Sequence, residues 1–145
     1  MIVMLPGLDD TAAATAQRRL GAEEEIWITT VRADGQPQTS PVGFLWDGAR
    51  FTLLSRPDAA KVRNLGANPR VSLHLELDRT DDTGGGVLTV EGNAVVEPGP
   101  LAGPEADRYV AKYRATMELV GVTREEFLDG YSTVLRVTPT RARVY

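Results

Sequence analysis

Apolar and polar residues alternate strictly through Val71-Ser72-Leu73-His74-Leu75-Glu76-Leu77, the pattern of a strand with one buried face. Ile26-Trp27-Ile28-Thr29-Thr30-Val31 is β-branched and aromatic and predicts a second strand. Asp34-Gly35 follows as a hairpin-type turn, and extended structure resumes from Gln38 to Trp46 with Val42, Phe44 and Trp46 on one face. Pro41 inside that run implies an edge or a bulge. Asp47-Gly48 turns the chain into Phe51-Thr52-Leu53-Leu54-Ser55. Three strands joined by Asp-Gly turns make an antiparallel meander. Val87 to Val96 adds a strand with Gly92 as a bulge, and Ser132 to Val137 adds the last one, leading into a basic tail.

Helical spacing appears in four places. Asp9-Asp10-Thr11 offers N-cap residues to Ala12–Leu20, which Gly21 is expected to stop. Ala59, Val62 and Leu65 repeat at helical intervals, with Lys61 and Asn64 on a different face and Gly66 and Pro69 closing the helix. Gly103-Pro104 opens a longer helix to about Met117–Val120, proline suiting the first helical position. Thr123-Arg124-Glu125-Glu126 is a capping box for a short helix to Asp129. The helices between Gly103 and Gly130 read as a cap on the barrel. Arg79 to Gly86, with Asp81-Asp82 and three glycines in a row, reads as a mobile loop. Roughly six strands linked by local hairpins, without βαβ alternation, predict a mainly β chain with peripheral helices, an antiparallel barrel over residues 1–145 as one domain.

Composition narrows the chemistry. The 145 residues contain no cysteine, which removes disulfides, thiolate nucleophiles and cysteine metal sites and fits a reducing compartment. Met1 to Leu5 is too short an apolar run for a signal or membrane segment, so the chain reads as cytoplasmic, with no membrane partner. A net charge of −4 gives no general attraction to nucleic acid. Two segments depart from this balance: Arg56, Lys61, Arg63 and Arg70 face only Asp58, and Arg136, Arg141 and Arg143 face no acid near the end. They are either solvated faces or reserved for an anion.

The usual catalytic signatures are absent. Gly84-Gly85-Gly86 has neither a Walker nor a Rossmann context. The single histidine, His74, reads as an ordinary strand residue, so no metal site is expected. Glu23-Glu24-Glu25 are consecutive and do not converge as an acid–base pair; they read as a solvated junction. No nucleophile elbow accompanies a Ser-His-Asp set. Trp27 and Trp46 read as core or interface aromatics.

The block Trp27-Ile28-Thr29-Thr30, Asp34-Gly35-Gln36-Pro37-Gln38, Pro41-Val42-Gly43-Phe44-Leu45-Trp46-Asp47-Gly48, Ser55, Lys61-Val62-Arg63-Asn64-Leu65 and Asn68-Pro69-Arg70-Val71 resembles the pyridoxamine-phosphate-oxidase-like split barrels. It is most similar to the actinobacterial, F420-dependent branch of the flavin/deazaflavin oxidoreductases. The closing segment Tyr131-Ser132, Arg136-Val137-Thr138-Pro139-Thr140-Arg141-Ala142-Arg143 is similar to that branch as well. The resemblance runs from about Leu20 to the end and rests on joint order and spacing rather than on one motif.

It implies a six-stranded antiparallel split β-barrel of the FMN-binding type, a homodimer, and a cofactor lying between protomers. Ser55 and Lys61 match positions that hold the cofactor phosphate. Thr39, Ser40, Pro41 and Val42 match the strand beside the ring. Lys61 suits that task as a long-reach ammonium near a helix N-terminus, and Asn64 could add a hydrogen bond. Arg56 and Arg63 could meet the carboxylates of the polyglutamate tail that F420 carries and FMN lacks. The implied activity is hydride transfer between F420 and a small electron-poor substrate, with no catalytic side chain required. The alternatives are an FMN-dependent oxidase or reductase, a pyridoxamine-phosphate oxidase proper, for which basic residues are sparse, and a non-catalytic F420 carrier.

Overall fold

A computed structural model describes residues 5–78 and 86–145. In chain order the elements are α1 (Asp10–Ala22), β1 (Glu25–Val31), β2 (Pro37–Trp46), β3 (Phe51–Ser55), α2 (Ala60–Ala67), β4 (Arg70–His74), β5 (Leu88–Pro98), α3 (Gly103–Val120), α4 (Arg124–Gly130) and β6 (Thr133–Val144). The six strands close into a barrel in the order β1-β2-β3-β6-β5-β4, every ladder antiparallel. This is the split barrel expected from the sequence. The expected loop over 79–86 lies outside the described residues except for Gly86, as do the first four residues of the apolar run at the start.

Local chemistry accounts for most boundaries. Gly35 and Gly48 sit at φ 90° and 95° in the two hairpins, where a side chain would be strained. The Asp47 carboxylate closes its turn by accepting from the Ala49 and Arg50 amides. Asp9 caps α1 through the Ala12 amide, and the capping box of Thr123 and Glu126 on α4 is complete. At Gly92 the β5–β6 register shifts by one, and an added Cβ would lie 2.7 Å from the Thr138 carbonyl.

Several expectations are corrected. Gly21 and Gly66 do not end their helices: α1 continues to Ala22 and α2 to Ala67. The left-handed stop occurs instead at Gly121, at φ 74° after α3. β4 ends at His74, although Leu75 stays buried and its amide reaches the Leu88 carbonyl. The basic tail is strand: β6 runs to Val144 and pairs with β5 along its length.

Two apolar cores result. The barrel interior packs Ile26, Ile28, Phe44, Phe51, Leu53, Leu73, Val90 and Leu135 against Ala16 and Leu20 of α1. A second cluster outside it joins Leu54 of β3 and Val134 of β6 to Ala106, Tyr109, Tyr113 and Met117 of α3 and Leu128 of α4. β3 is buried at all five positions because it serves both. The helices between Gly103 and Gly130 therefore pack along the wall of the barrel and do more than cap it.

Candidate functional site

β1 pairs with β2 along Pro37–Gly43, but the β2–β3 ladder covers only Phe44–Trp46. Beyond it the two strands part, since Leu54 and Ser55 of β3 pair with β6 alone. Pro41-Val42-Gly43 thus has a β1 partner on one side and no β3 partner on the other. Proline is tolerated on such an edge because it has no amide to leave unpaired.

A groove of about 500 Å³ opens at this split. Pro41, Val42 and Gly43 form one side, Leu54, Ser55, Arg56, Ala59 and Lys61 another. Tyr109, Tyr113 and Thr116 of α3 with Phe127 of α4 and Tyr131 just beyond it face them, and Glu24 and Glu25 complete the lining. The rings form a ladder: Tyr113 to Tyr109 at 5.1 Å between centroids, Tyr109 to Phe127 at 6.0 Å, Phe127 to Tyr131 at 5.2 Å. Gly43 allows the tyrosines this close, because a Cβ there would lie 3.0 Å from the Tyr109 hydroxyl and 3.2 Å from that of Tyr113.

The α3 side chains also finish the edge of β2. The Tyr113 hydroxyl accepts from the Phe44 amide at 2.8 Å and donates to the Glu24 carbonyl. Lys112 donates to the Phe44 carbonyl at 2.8 Å and lies 3.7 Å above the Phe44 ring. Burial lowers the Lys112 ammonium to a pKa of about 8 against the pull of Glu24 and Glu23. Burial pushes the Tyr109 and Tyr113 phenols upward, so both stay protonated at neutral pH.

Lys61 stands at the start of α2, half-buried in the groove wall. No ion pair or hydrogen bond engages its side chain among the described residues, and desolvation alone lowers its pKa. No side chain caps α2, in contrast to α1 and α4; the Val62 amide bonds back to the Ala59 carbonyl, and no side chain takes the amides of Ala60 and Lys61. Ser55 is buried beside this corner, its hydroxyl donating to the Arg56 carbonyl at 3.0 Å. The Arg56 guanidinium lies 5.5 Å from the centre of the Tyr131 ring. The corner is cationic, and an anion with several acceptor oxygens fits the donors present.

Of the residues singled out from the sequence, Pro41, Val42, Ser55, Arg56 and Lys61 come together here, and four do not. Thr39 bonds to Thr29 at 2.7 Å, beside a separate surface depression of about 550 Å³ that Thr29 lines. Ser40 sits opposite Ile28 in the β1 ladder. Arg63 is exposed and donates to the Asp58 carbonyl. Asn64 is buried and turned toward Thr30 and Gln38, tying α2 to the barrel at 3.0 and 2.8 Å. The sequence reading missed Glu24, Glu25 and the whole α3–α4 wall. Its signal was present: Tyr109, Tyr113 and Thr116 lie at i, i+4 and i+7, and Phe127 and Tyr131 at i and i+4.

Trp46 packs on Phe51 at 4.5 Å and donates to Gln17, a core-edge role. Trp27 stacks on His74 at 6.1 Å on the outer surface of the barrel. The described residues hold no cluster of histidine and carboxylates suited to a metal ion, and no helix among them is long and apolar enough to cross a membrane.

Residues 13–145 match the family described as pyridoxamine 5′-phosphate oxidase. Among solved structures the chain is similar to an F420 reductase, 24% identical over 88% of this chain and 94% of that one, with a TM-score of 0.70. It is similar to a FAD-binding protein from Mesorhizobium loti, 20% identical over 90% and 91%, TM-score 0.62. A third is the haem storage protein HutZ from Vibrio cholerae, 20% identical over 90% and 92%, TM-score 0.57. At these identities the likeness is one of fold. No curated protein sequence matches the chain.

Proposed function

The chain belongs to the pyridoxamine 5′-phosphate oxidase family, and from that premise we propose that it is an F420-dependent oxidoreductase, a cytoplasmic homodimer acting on a small electron-poor organic substrate. The observation that carries this reading is Lys61: a half-buried ammonium, unpaired among the described residues, facing a groove beside a buried serine and an uncapped helix start. Keeping a desolvated cation without a partner costs stability, and an anionic ligand recovers that cost.

Lys61 and Ser55 would hold the phosphate, and Arg56, exposed at the mouth, would reach a carboxylate-bearing tail. The β2 edge at Pro41–Gly43 would lie along the ring, because backbone groups there lack a β3 partner. When bound, such a ring supplies hydride transfer. Tyr109 and Tyr113, protonated and apolar in body, keep water from the opposite wall and leave room for a second planar molecule. A polyanionic tail favours F420 over FMN for a groove with Arg56 at its mouth; the likeness to an F420 reductase supports the same choice.

The test is a fluorescence titration of the purified protein with F420 and with FMN. Tighter binding of F420, followed by oxidation of reduced F420 on adding a quinone, nitro or enone acceptor, is the expected result. Preferential FMN binding would overturn the cofactor assignment. F420 binding without turnover on any acceptor would make the protein a carrier.

A further inference from the structure

Two rungs are missing around the split, one on each side of β2. The β1–β2 ladder stops at Glu25 opposite Gly43, so the next pair in register is Glu24 with Phe44. The β2–β3 ladder stops at Phe44 opposite Leu53, so the next pair there is Gly43 with Leu54. Successive residues of an antiparallel strand turn their peptide groups to opposite neighbours, which aims those of Phe44 at β1 and those of Gly43 at β3. A hydroxyl of α3 stands in each gap. Tyr113 accepts from the Phe44 amide at 2.8 Å and donates to the Glu24 carbonyl, joining the two groups that a direct rung would join. Tyr109 accepts from the Leu54 backbone, and its oxygen is the nearest atom to the position of a Cβ on Gly43, at 3.0 Å.

We infer that Tyr109 and Tyr113 are the positioning residues of the groove: one turn apart on α3, they fill two rungs of the barrel with hydroxyls, hold β2 away from its neighbours, and so set the width of the slot in which the ring of the cofactor lies. The last step rests on the function proposed above; the spacing of the strands does not. A direct N–H···O bond spans about 2.9 Å, and two bonds in series through one oxygen span more, so each hydroxyl widens its gap. An empty gap would leave buried peptide groups unpaired, and a closed one would erase the groove. The hydroxyls avoid both outcomes.

The surroundings fit this task. Lys112 takes the Phe44 carbonyl, which lies 3.2 Å from the Tyr113 hydroxyl, and so leaves the phenol proton for Glu24. The two rings are buried and stacked on each other at 5.1 Å, so the hydroxyls move as a pair. Gly43 has no side chain to push them out. Ala106 and Met117 hold α3 to the wall by apolar packing, which has no preferred direction; the hydroxyl bonds supply one.

The test has a ligand-free arm and a binding arm, both on the full-length protein. In isotope-labelled Tyr113→Leu, NMR should show a through-hydrogen-bond coupling from the Phe44 amide to the Glu24 carbonyl that the wild type lacks, because the ladder closes by one rung. Tyr109→Leu should show the same from the Leu54 amide to the Gly43 carbonyl. Either variant decides if the other does not fold, and a coupling that fails to appear in a folded variant overturns the inference. In the second arm F420 is titrated by fluorescence. Tyr113→Phe, which keeps the ring and deletes the hydroxyl, should weaken it roughly three- to tenfold, the scale of one neutral hydrogen bond. Arg136→Met frees the first turn of α3 from β6 at a point outside the groove and should leave F420 affinity within twofold, roughly. An unaltered affinity in Tyr113→Phe, or an equal loss in Arg136→Met, overturns the positioning role. Failure of F420 to bind the wild type, with the couplings appearing, removes the cofactor reading and leaves the spacer standing.

Discussion

Two segments of this chain are equally basic in sequence, and the fold treats them in opposite ways. Along β6, Arg136 is mostly buried and bound on three sides, to Glu97 at 3.1 Å, to Thr52 at 2.8 Å and to Glu105 of α3. Arg143 meets Glu91 of β5 at 2.8 Å. These charges are answered by carboxylates that the β5–β6 register and the first turn of α3 bring alongside. Around α2 no ion pair forms among the described residues. Lys61 faces the groove unpaired among the described residues, and Arg56 lies over a neutral ring. A run of positive charge therefore says nothing about anion binding until the neighbours are known. What distinguishes a site is a cation that has lost water and gained no protein partner.

Exchanging one residue in each segment tests the contrast. Arg136→Met removes a cation between three groups and leaves Glu105 poorly solvated, so denaturant unfolding should show a loss of about 3 kcal/mol. F420 affinity should hardly change. The Arg136 guanidinium keeps the Glu105 carboxyl below the ordinary carboxylate pKa, so its contribution is present above the unfolded value and fades as pH falls through the folded one. Wild type should lose that increment on acidification, and the mutant has none to lose.

Lys61→Ala should do the reverse, weakening F420 by ~1.5–3 kcal/mol, roughly ten- to a hundredfold in Kd, while stability stays level or rises. A clear fall in stability without loss of affinity would make Lys61 a structural residue and erase the contrast. Gly43→Ala is milder. The added Cβ crowds two tyrosine hydroxyls at 3.0 and 3.2 Å, so about 1 kcal/mol of stability should go, with a looser aromatic wall reported by tyrosine fluorescence.

Lys112 is the intermediate case, a cation satisfied by a carbonyl and a ring rather than by an acid. Its folded pKa, about 8, lies below the ordinary lysine value of 10.5, so the folded state binds its proton less tightly than the unfolded chain. Stability attributable to it should rise between those two values, and Lys112→Met should flatten that rise in unfolding curves taken from pH 7 to 10.5. Last, Arg143→Ala breaks a pair in which both side chains are largely exposed, and its unfolding midpoint should match the wild type.

Strand and turn chemistry were written locally and could be read locally. The alternation through Leu73, the Asp-Gly hairpins and the capping box at Thr123 each depend on residues within a few positions of one another. The glycines at 21 and 66 misled because a glycine stops a helix only where the chain turns left-handed, and neither adopts a positive φ; each lies inside its helix, which runs one residue further. Half of the groove was legible too, since Pro41, Val42, Ser55, Arg56 and Lys61 lie within one meander and the helix after it. The other half was not. Tyr109, Tyr113, Phe127 and Tyr131 show the helical spacing of core residues, and Tyr109 and Tyr113 are core residues with Phe127 packed against them; their second role exists only because β2 and β3 separate beside them.

The chain alone thus determined the antiparallel strands, the meander of the first three and the cationic corner at α2, because periodicity, turn residues and local charge act over short sequence distances. Tertiary structure decided which arginines are neutralised, which strand edge stays open and which carboxylates face the rings. Those outcomes join residues some thirty to ninety positions apart, as in Arg136 with Glu105 and Tyr113 with Glu24. Nothing in the local pattern at either end specifies the other, and only the closed ladder and the packing of α3 bring them within reach.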